Sequence, residues 1–206
     1  MEKIMDLKAT YNRIADDWFK DHHGDTWWVG GTDKFVSFLT PGALVLDVGC
    51  GAGVKSRYLL DKGLQVIGVD FSEKMIEIAQ REVPGATFRL ADIKDLSGLK
   101  EEFDGILAQA VLLHIPKSEA GDVVNGLRNK LVDGGYLYIA VKEMRKGGKE
   151  EEILKEDDYG YEYERFFSYF TLQEVQKYLT DAGMELCYEN VALSGHTNWI
   201  QVIGRK

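Results

Sequence analysis

From residue 43 onward, short apolar runs alternate with stretches in which apolar residues recur at helical spacing. Runs of this length are typical of buried strands. Because strands that alternate with helices form βαβ units, the pattern predicts an α/β fold whose parallel sheet is covered by helices on both faces. The predicted strands are 44–48, 65–70, 86–90, 103–109 and 136–141.

The last part of the chain predicts a different ending. Thr171 and Glu174 form a capping-box sequence before a helical stripe, and Gly183 follows as a helix-terminating glycine. Two further apolar segments, 184–190 and 197–204, are separated by a short turn that contains glycine. These segments predict an antiparallel hairpin at the edge of the sheet.

Two segments lie outside the repeating pattern. Residues 1–40 combine a helical stripe with a patch rich in His, Trp and Gly, and residues 143–165 are charged and then aromatic. We therefore predict a single domain, residues 1–206, that consists of an N-terminal cap or lid (1–40) and a core (41–206). The stripe, whose last member we assign to the core, consists of Ile4, Leu7, Tyr11, Ile14 and Trp18.

The composition narrows the range of partners. The chain has 206 residues with 25 Lys or Arg and 34 Asp or Glu, so its formal net charge is −9. An acidic chain lacks the broad positive surface that binds nucleic acid or anionic membranes. The start shows no signal-peptide pattern, and the two cysteines, Cys50 and Cys187, are far apart, as in reduced proteins. We therefore expect a cytoplasmic protein with no nucleic-acid or membrane partner and no metal site.

The most informative stretch joins the first predicted strand to a helix. Asp47 lies at the end of the strand, and Gly49, Gly51 and Gly53 follow at alternate positions. Glycines at such a turn permit positive φ and allow a ligand to approach the backbone closely. An acid followed by G-x-G-x-G fits a loop that binds S-adenosylmethionine.

Two other nucleotide-binding loops fit less well. A dinucleotide loop, G-x-G-x-x-G, needs a third glycine where this chain has Val54. A phosphate loop, G-x-x-x-x-G-K-[ST], matches Lys55 and Ser56 but also meets Val54 where glycine belongs, and it leaves Asp47 unexplained. A plain βα turn requires no ligand, but the residues after the next two strands argue against it.

Acidic residues stand at the ends of three successive predicted strands. Asp70 ends the second strand, and Asp92 follows the third. The carboxyl ends of parallel strands meet at one edge of the sheet, where open α/β sheets bind their ligands. A carboxylate there can accept hydrogen bonds from both ribose hydroxyls of a nucleoside. We therefore expect a nucleoside site at this edge.

Together these motifs resemble those of class I S-adenosylmethionine-dependent methyltransferases of the small-molecule type, the ubiquinone/menaquinone-biosynthesis-like group. The similar segments are LVLDVGCGAG (44–53), GVDFSEKMIEIA (68–79), FDGILAQAVLLHIP (103–116) and YNRIADDW (11–18), the last resembling a lid helix. The resemblance implies a Rossmann-like doubly wound sheet of seven strands in the order 3-2-1-4-5-7-6, with strand 7 antiparallel. It also implies that residues 143–170 cover the substrate.

The resemblance further implies which residues bind the cofactor. The glycine loop would hold the methionyl part, with Asp47 orienting the loop or reaching the amino group. Asp70 would hold the ribose, and Asp92 would accept from the adenine amino group. Gln109 and Ala110 would face the sulfonium. The implied set is Tyr11, Asp47, Gly49, Cys50, Gly51, Gly53, Asp70, Phe71, Asp92, Ile93, Gln109 and Ala110.

The implied reaction is in-line transfer of a methyl group to an O, N, S or C atom of a small molecule, giving S-adenosylhomocysteine. A nucleic-acid acceptor is disfavoured, because Gln109-Ala-Val-Leu-Leu stands where amino-methylating nucleic-acid enzymes have Asn/Asp-Pro-Pro-aromatic. The alternatives are a nucleotide-dependent oxidoreductase and a non-catalytic S-adenosylmethionine-binding regulatory domain. The sequence leaves open whether the protein is a monomer or a homodimer.

Four residues are candidates for contact with the methyl acceptor. His114 is either a general base or a residue of a helix turn, since histidine titrates near neutrality. Arg165 either holds an acidic group or pairs with a nearby acid such as Glu162 or Glu164. The two tryptophans are adjacent, so they do not share one face, and one of them would meet the substrate pocket. The acceptor candidates are Trp27, Trp28, His114 and Arg165.

Overall fold

The computed structural model describes residues 6–206, whose strands form two sheets. In chain order the strands are β1 (Leu44–Val48), β2 (Gln65–Asp70), β3 (Thr87–Leu90), β4 (Phe103–Gln109), β5 (Leu131–Lys142), β6 (Glu151–Glu156), β7 (Tyr163–Ser168), β8 (Glu185–Ser194) and β9 (Thr197–Arg205). The larger sheet has the order β3-β2-β1-β4-β5-β9-β8, and β6 pairs with β7 separately.

The larger sheet has the Rossmann-like topology that the sequence predicts. Strands β1 to β5 pair in parallel, and β9 runs antiparallel between β5 and β8. The predicted order 3-2-1-4-5-7-6 is confirmed; the last two strands carry higher numbers because the β6–β7 hairpin precedes them in the chain. The carboxyl ends of β1, β2 and β4 therefore lie side by side at one edge.

Some strand boundaries differ from the prediction. β5 begins at Leu131 rather than at residue 136, because Leu131 pairs with Phe103 across an irregularity that includes Gly134, whose φ is 82°. β8 continues to Ser194 rather than ending at residue 190. The pattern gave no sign of β6 and β7, because charged residues occupy half-buried as well as exposed positions of these strands.

The helices are α1 (Leu7–His22), α2 (Val29–Val36), α3 (Val54–Asp61), α4 (Glu73–Glu82), α5 (Lys117–Asn129) and α6 (Leu172–Asp181), with a 3-10 turn at Leu112–His114. The predicted capping box of Thr171 and Glu174 is present. The predicted N-terminal stripe begins at Ile4, which lies outside the described residues. Within residues 6–206, no helix has the length and apolar character needed to cross a membrane.

Helices cover both faces of the larger sheet. Val45 and Leu46 are neighbours in β1 and point to opposite faces, yet both are fully buried. On the face of Val45, α2 packs Phe35 against Tyr138, with ring centroids 6.0 Å apart. On the face of Leu46, the apolar stripe of α5 contributes Leu127 to the core. This double cover explains why the core strands are almost continuously apolar.

Helix α1, the first part of the N-terminal cap, lies across the carboxyl edge of the sheet. Ala15 of α1 packs with Met75 and Ile78 of α4. Asn12 of α1 fixes the same contact, because its Oδ1 accepts a hydrogen bond from Ser72 Oγ at 2.7 Å. The cap is thereby positioned over the loop that follows β1.

Candidate functional site

The loop between β1 and α3 is bent at each of its three glycines. Gly49, Gly51 and Gly53 have φ values of 65°, 51° and 83°, in the left-handed region that favours glycine. A Cβ on Gly49 would lie 2.5 Å from Val111 Cγ2, so this glycine is required by packing as well as by φ. A Cβ on Gly51 would meet only the Trp18 ring, at 3.7 Å. Gly51 therefore borders open space beneath α1.

Asp70 connects this loop to the end of β2. Its carboxylate accepts hydrogen bonds from the backbone N–H groups of Gly51 and Ser72, each at 2.9 Å. Asp70 is 6 % exposed, and burial raises its pKa to about 6. The carboxylate thus holds the loop in place while standing at the edge of the sheet.

Asp47 lies beneath the loop. Its Oδ2 accepts a hydrogen bond of 2.6 Å from Ser56 Oγ on α3, and burial raises its pKa to about 6. It does not line the cavity described next. Of the two roles considered for Asp47, the geometry supports positioning of the loop.

A cavity separates the glycine loop from α1. Tyr11 and Trp18 of α1 form its roof, and its volume is about 70 Å³. Small-molecule sites usually have about 300–1,000 Å³, so the cavity in this arrangement is smaller than a nucleoside requires. Nine residues expected at the site line this cavity: Tyr11, Gly49, Cys50, Gly51, Asp70, Phe71, Gln109, Ala110 and His114.

The other candidates lie elsewhere. Gly53 is buried against Phe88, Val83 and Ala79, where it begins α3. Asp92 is exposed and accepts a hydrogen bond from Lys94 N at 2.9 Å, and Ile93 borders a separate groove beside α5. Neither Asp92 nor Ile93 contacts the cavity in this closed arrangement.

The two tryptophans expected near the acceptor also lie away from the cavity. Trp27 stacks on Trp199 with ring centroids 4.0 Å apart, and Trp28 is buried, with its ring edge-on to Tyr58. Trp18, which we assigned to the core, does pack against the cluster that contains Ala15 and Met75, but it is half-buried and also lies over Gly51 in the cavity and stacks on His22. The helical stripe of α1 packs on the loop as well as on the core, which the stripe alone cannot reveal.

Arg165 also differs in its partner. Its guanidinium donates two hydrogen bonds of 2.6 Å to Glu156 on β6, not to Glu162 or Glu164. This pairing follows from the β6–β7 hairpin, which the sequence pattern did not predict. Leu154 of β6 pairs directly with Arg165 of β7, and Glu156 lies two residues beyond Leu154 on β6.

Gln109 and Ala110 turn the end of β4 into the cavity. Ala110 has a φ of 58°, a conformation rare for residues other than glycine and often found at functional sites. Gln109 is 2 % exposed; its Oε1 accepts from Thr32 Oγ1 at 3.2 Å, while its Nε2 has no hydrogen-bond partner. A buried donor without a partner costs about 1–3 kcal/mol, which a ligand acceptor would recover.

Lys55, which sequence reasoning considered only for a phosphate loop, also lines the cavity. Its ammonium lies 5.8 Å from the centroid of Trp28 and forms no ion pair with any residue from 6 to 206. Burial lowers the pKa of the ammonium, although Asp47 and Asp25 oppose this effect. Met75, Trp18 and Val111 are the other lining residues that the sequence did not indicate.

His114 and Tyr11 meet at the far end of the cavity. His114 Nδ1 donates to the carbonyl oxygen of Phe166 at 2.8 Å, because a carbonyl can only accept. The neutral ring therefore presents its Nε2 lone pair to Tyr11, whose hydroxyl donates to it at 2.8 Å. Burial first, and then Arg165 and Lys142, lower the pKa of His114 to about 3. Contrary to expectation, this histidine does not titrate near neutrality.

The donor set fits a nucleoside that carries an amino acid. Asp70 offers a carboxylate for ribose hydroxyls, and the glycine loop leaves room at Gly51 for a ligand to touch the backbone. Lys55 and Gln109 offer two unpaired donors for a carboxylate. S-adenosylmethionine has all of these groups, so the residues present fit it. Among residues 6–206, no cluster of His, Cys, Asp and Glu is placed to hold a metal ion.

Comparison with known proteins agrees with this geometry. Residues 45–135 match the family described as methyltransferase domain. Over 107 residues the chain is 36 % identical to the magnesium-protoporphyrin O-methyltransferase of Synechocystis, a match that covers 46 % of this chain and 45 % of the relative. The chain spans about half the length of the curated relatives it matches.

Solved structures share the fold over nearly the whole chain. The magnesium protoporphyrin IX methyltransferase of Synechocystis PCC 6803 with bound SAM has a TM-score of 0.75 and 20 % identity, covering all of both chains. The 1,6-didemethyltoxoflavin-N1-methyltransferase of Burkholderia thailandensis, with bound 1,6-didemethyltoxoflavin and S-adenosylhomocysteine, has a TM-score of 0.77 and 20 % identity, covering 97 % of this chain and 87 % of that one. Residues 45–135 therefore match the methyltransferase domain family, and the chain shares the fold of these two solved methyltransferases.

Proposed function

We propose that the protein transfers a methyl group from S-adenosylmethionine to a small molecule. The observation that carries the proposal is one cavity lined by the bent glycine loop, buried Asp70 and two unpaired donors, on Lys55 and Gln109. When bound, S-adenosylmethionine supplies a methyl group activated by a sulfonium, and transfer leaves S-adenosylhomocysteine. The family match and the relatives support the same reaction.

Different residues of the cavity bind different parts of the cofactor. Asp70 accepts hydrogen bonds from the ribose, and backbone at Gly49 and Gly51 faces the methionyl part. Lys55 and Gln109 donate to its carboxylate, which gives the half-buried ammonium and the buried amide a partner. The remaining candidates form the adenine end once the cap has moved and the site has extended along the sheet edge, namely Phe71, Asp92 and Ile93.

His114 is the proposed proton acceptor. Its tautomer is fixed by the Phe166 carbonyl, so Nε2 is available whenever Tyr11 withdraws. An acceptor hydroxyl in the place of Tyr11 would donate to the same nitrogen, and its proton would pass to Nε2 as the bond to the methyl carbon forms. Because His114 is a weak base in its buried state, this transfer suits an acceptor with an acidic proton.

The N-terminal cap is the proposed lid. Tyr11 and Trp18 close the cavity in the described arrangement, and both belong to α1. Outward movement of this helix would admit the cofactor, and its return would exclude water from the reacting groups. The layout we propose is one domain, 1–206, in which α1 is the movable part of the lid, 1–40, α2 stays packed on the sheet, and the segment 143–170 covers the substrate.

The proposal also covers the class of acceptor, the cellular location and the oligomeric state. The net charge of −9 argues against a nucleic-acid acceptor and supports a small molecule. The scarcity of cysteines supports a reducing, cytoplasmic location. Both a monomer and a homodimer are consistent with a site that one chain supplies.

Calorimetric titration with four ligands tests the cofactor. We expect S-adenosylhomocysteine to bind and NADH and ATP to give no heat, and Asp70→Ala to abolish binding. Lys55→Met should weaken the binding of S-adenosylhomocysteine by about 10- to 100-fold, which corresponds to the strength of a charge-assisted hydrogen bond. The same variant should leave 5′-methylthioadenosine unaffected, because that ligand lacks the carboxylate.

Controls and contrary outcomes are direct. Lys62→Met, at an exposed lysine just after α3, should leave all affinities unchanged. Binding of NADH or ATP in place of S-adenosylhomocysteine would favour an oxidoreductase or another nucleotide enzyme and overturn the proposal. Binding of S-adenosylhomocysteine without turnover across a broad panel of acceptors would favour a regulatory domain.

A further inference from the structure

A group of basic side chains surrounds one buried aromatic ring beside the cofactor cavity. The ring centroid of Phe167 lies 5.0 Å from that of His114, which lines the cavity. The Lys142 ammonium lies 4.1 Å from the Phe167 centroid, and the Arg165 guanidinium carbon lies 5.2 Å from it. Both cations therefore contact the Phe167 ring, which in turn lies next to His114, the proposed proton acceptor.

The topology places Lys142 on the acceptor side of the sheet. Gln109, the last residue of β4, pairs in register with Ala140 of β5. Lys142 follows two residues later and lies about 7 Å further along the strand, on the same face as Ala140. It therefore extends past the edge at which Gln109 and Ala110 meet the cavity.

The charges of this group are not balanced. Glu156, the acid closest to Arg165, is held by both hydrogen bonds of that guanidinium. Lys142 forms no ion pair with any residue described, and Arg165 and Arg145 repel its charge more than Glu156 attracts it. Burial and this repulsion lower the pKa of Lys142 to about 8. A half-buried cation of this kind is stabilised by an anion.

We propose that Lys142 binds a carboxylate of the methyl acceptor, so that the enzyme acts on small carboxylic acids. This inference rests on the proposed function, and it assigns a role to a residue at the end of β5 that lies outside the cofactor cavity. The Phe167 ring holds the Lys142 ammonium by a cation–π contact, and Arg165, already paired with Glu156, adds positive potential. A purely structural role for Lys142, packing over Phe167, is the alternative.

Benzoate and benzamide test the proposal, because they share a shape and differ in charge. Each is titrated into protein saturated with S-adenosylhomocysteine. We expect benzoate to bind about 10- to 100-fold more tightly than benzamide. Lys142→Met should reduce the affinity for benzoate to that for benzamide, while Lys142→Arg should retain most of the preference for benzoate. Lys146→Met, at an exposed lysine in the following loop, is the matched control and should change nothing.

Each result decides the matter. Equal affinity for the two probes, no binding of benzoate, or a preference that survives Lys142→Met would overturn the carboxylate site. Unchanged affinity for S-adenosylhomocysteine in Lys142→Met shows that the variant is folded and that its loss is specific. If S-adenosylhomocysteine itself does not bind, the proposed function fails; if it binds and benzoate does not, only the carboxylate site fails.

Discussion

Alanine substitutions at three glycines separate the structural role of the glycine loop from its binding role. Gly49, Gly51 and Gly63 have φ values of 65°, 51° and 82°. Alanine therefore costs each position about 1 kcal/mol in backbone strain. What differs between the three positions is the space around the added methyl group.

The surroundings of the methyl group predict the rest of the effect. At Gly63 nothing lies within 4 Å, and at Gly51 the Trp18 ring lies at 3.7 Å, an ordinary contact. At Gly49 the Cβ would lie 2.5 Å from Val111 Cγ2 and 2.7 Å from Val111 Cβ, so the turn after β4 must shift. Such overpacking adds about 1–3 kcal/mol. We expect a loss of about 2–4 kcal/mol for Gly49→Ala and of about 1 kcal/mol for Gly51→Ala and Gly63→Ala.

Two assays on the same proteins check this reasoning. Urea unfolding measures the free energy of unfolding. In thermal unfolding, each kcal/mol of stability that is lost should lower the Tm by about 2–4 °C in a chain of this size. Titration with S-adenosylhomocysteine should show that Gly51→Ala binds poorly although it is as stable as Gly63→Ala, because its methyl group enters the cavity beneath Trp18. Equal destabilisation of all three variants would refute the packing argument. Normal binding by Gly51→Ala would refute the assignment of the cavity.

Three further outcomes are expected. Affinity for S-adenosylhomocysteine, measured by calorimetry, should rise with pH up to about 6 and then level off, because burial raises the pKa of Asp70 to about 6 and the ionised carboxylate binds the ribose; a flat profile would contradict this role. Tyr11→Phe removes the donor to His114 and should speed association about two- to tenfold in stopped-flow fluorescence. Thr171→Ala should lower the free energy of unfolding by about 1 kcal/mol without changing the affinity for S-adenosylhomocysteine.

The sheet could be predicted from the sequence because several independent signals agree. The apolar runs locate β1, β2 and β4 to the residue, and the acids and glycines mark the same edge. These signals are local, so each is read without knowledge of the fold. The β6–β7 hairpin was missed because β6 has no apolar alternation: Glu152 and Glu156 occupy its half-buried positions, while Ile153 is exposed.

Residue patterns predicted the part of the site that is built from strand ends, and the family resemblance added Tyr11 of α1. Gly49, Gly51, Asp70 and Gln109 meet in the cavity because the topology brings their strands together. Lys55 could not be assigned to it, since its side chain is placed there by the α3 helix and by contact with the segment before α2. Side chains supplied by a separate element depend on tertiary packing, which no local pattern reports.

Helix α1, the proposed lid, contacts the segment 143–170, which we expect to cover the acceptor. Arg13 of α1 stacks over the Tyr161 ring at 4.3 Å and donates to the backbone oxygen of Glu162 at 3.0 Å. Tyr161 in turn donates to Asp17 of α1 at 3.0 Å. The outward movement of α1 that we propose would break these contacts, which tie it to the loop before β7. Because Arg13 is exposed, its own contacts are weak. Ile14 and Ala15 of the same helix are fully buried, so opening would also expose an apolar face and would limit the open population. Under this proposal, one helix would couple entry of the cofactor to access for the acceptor.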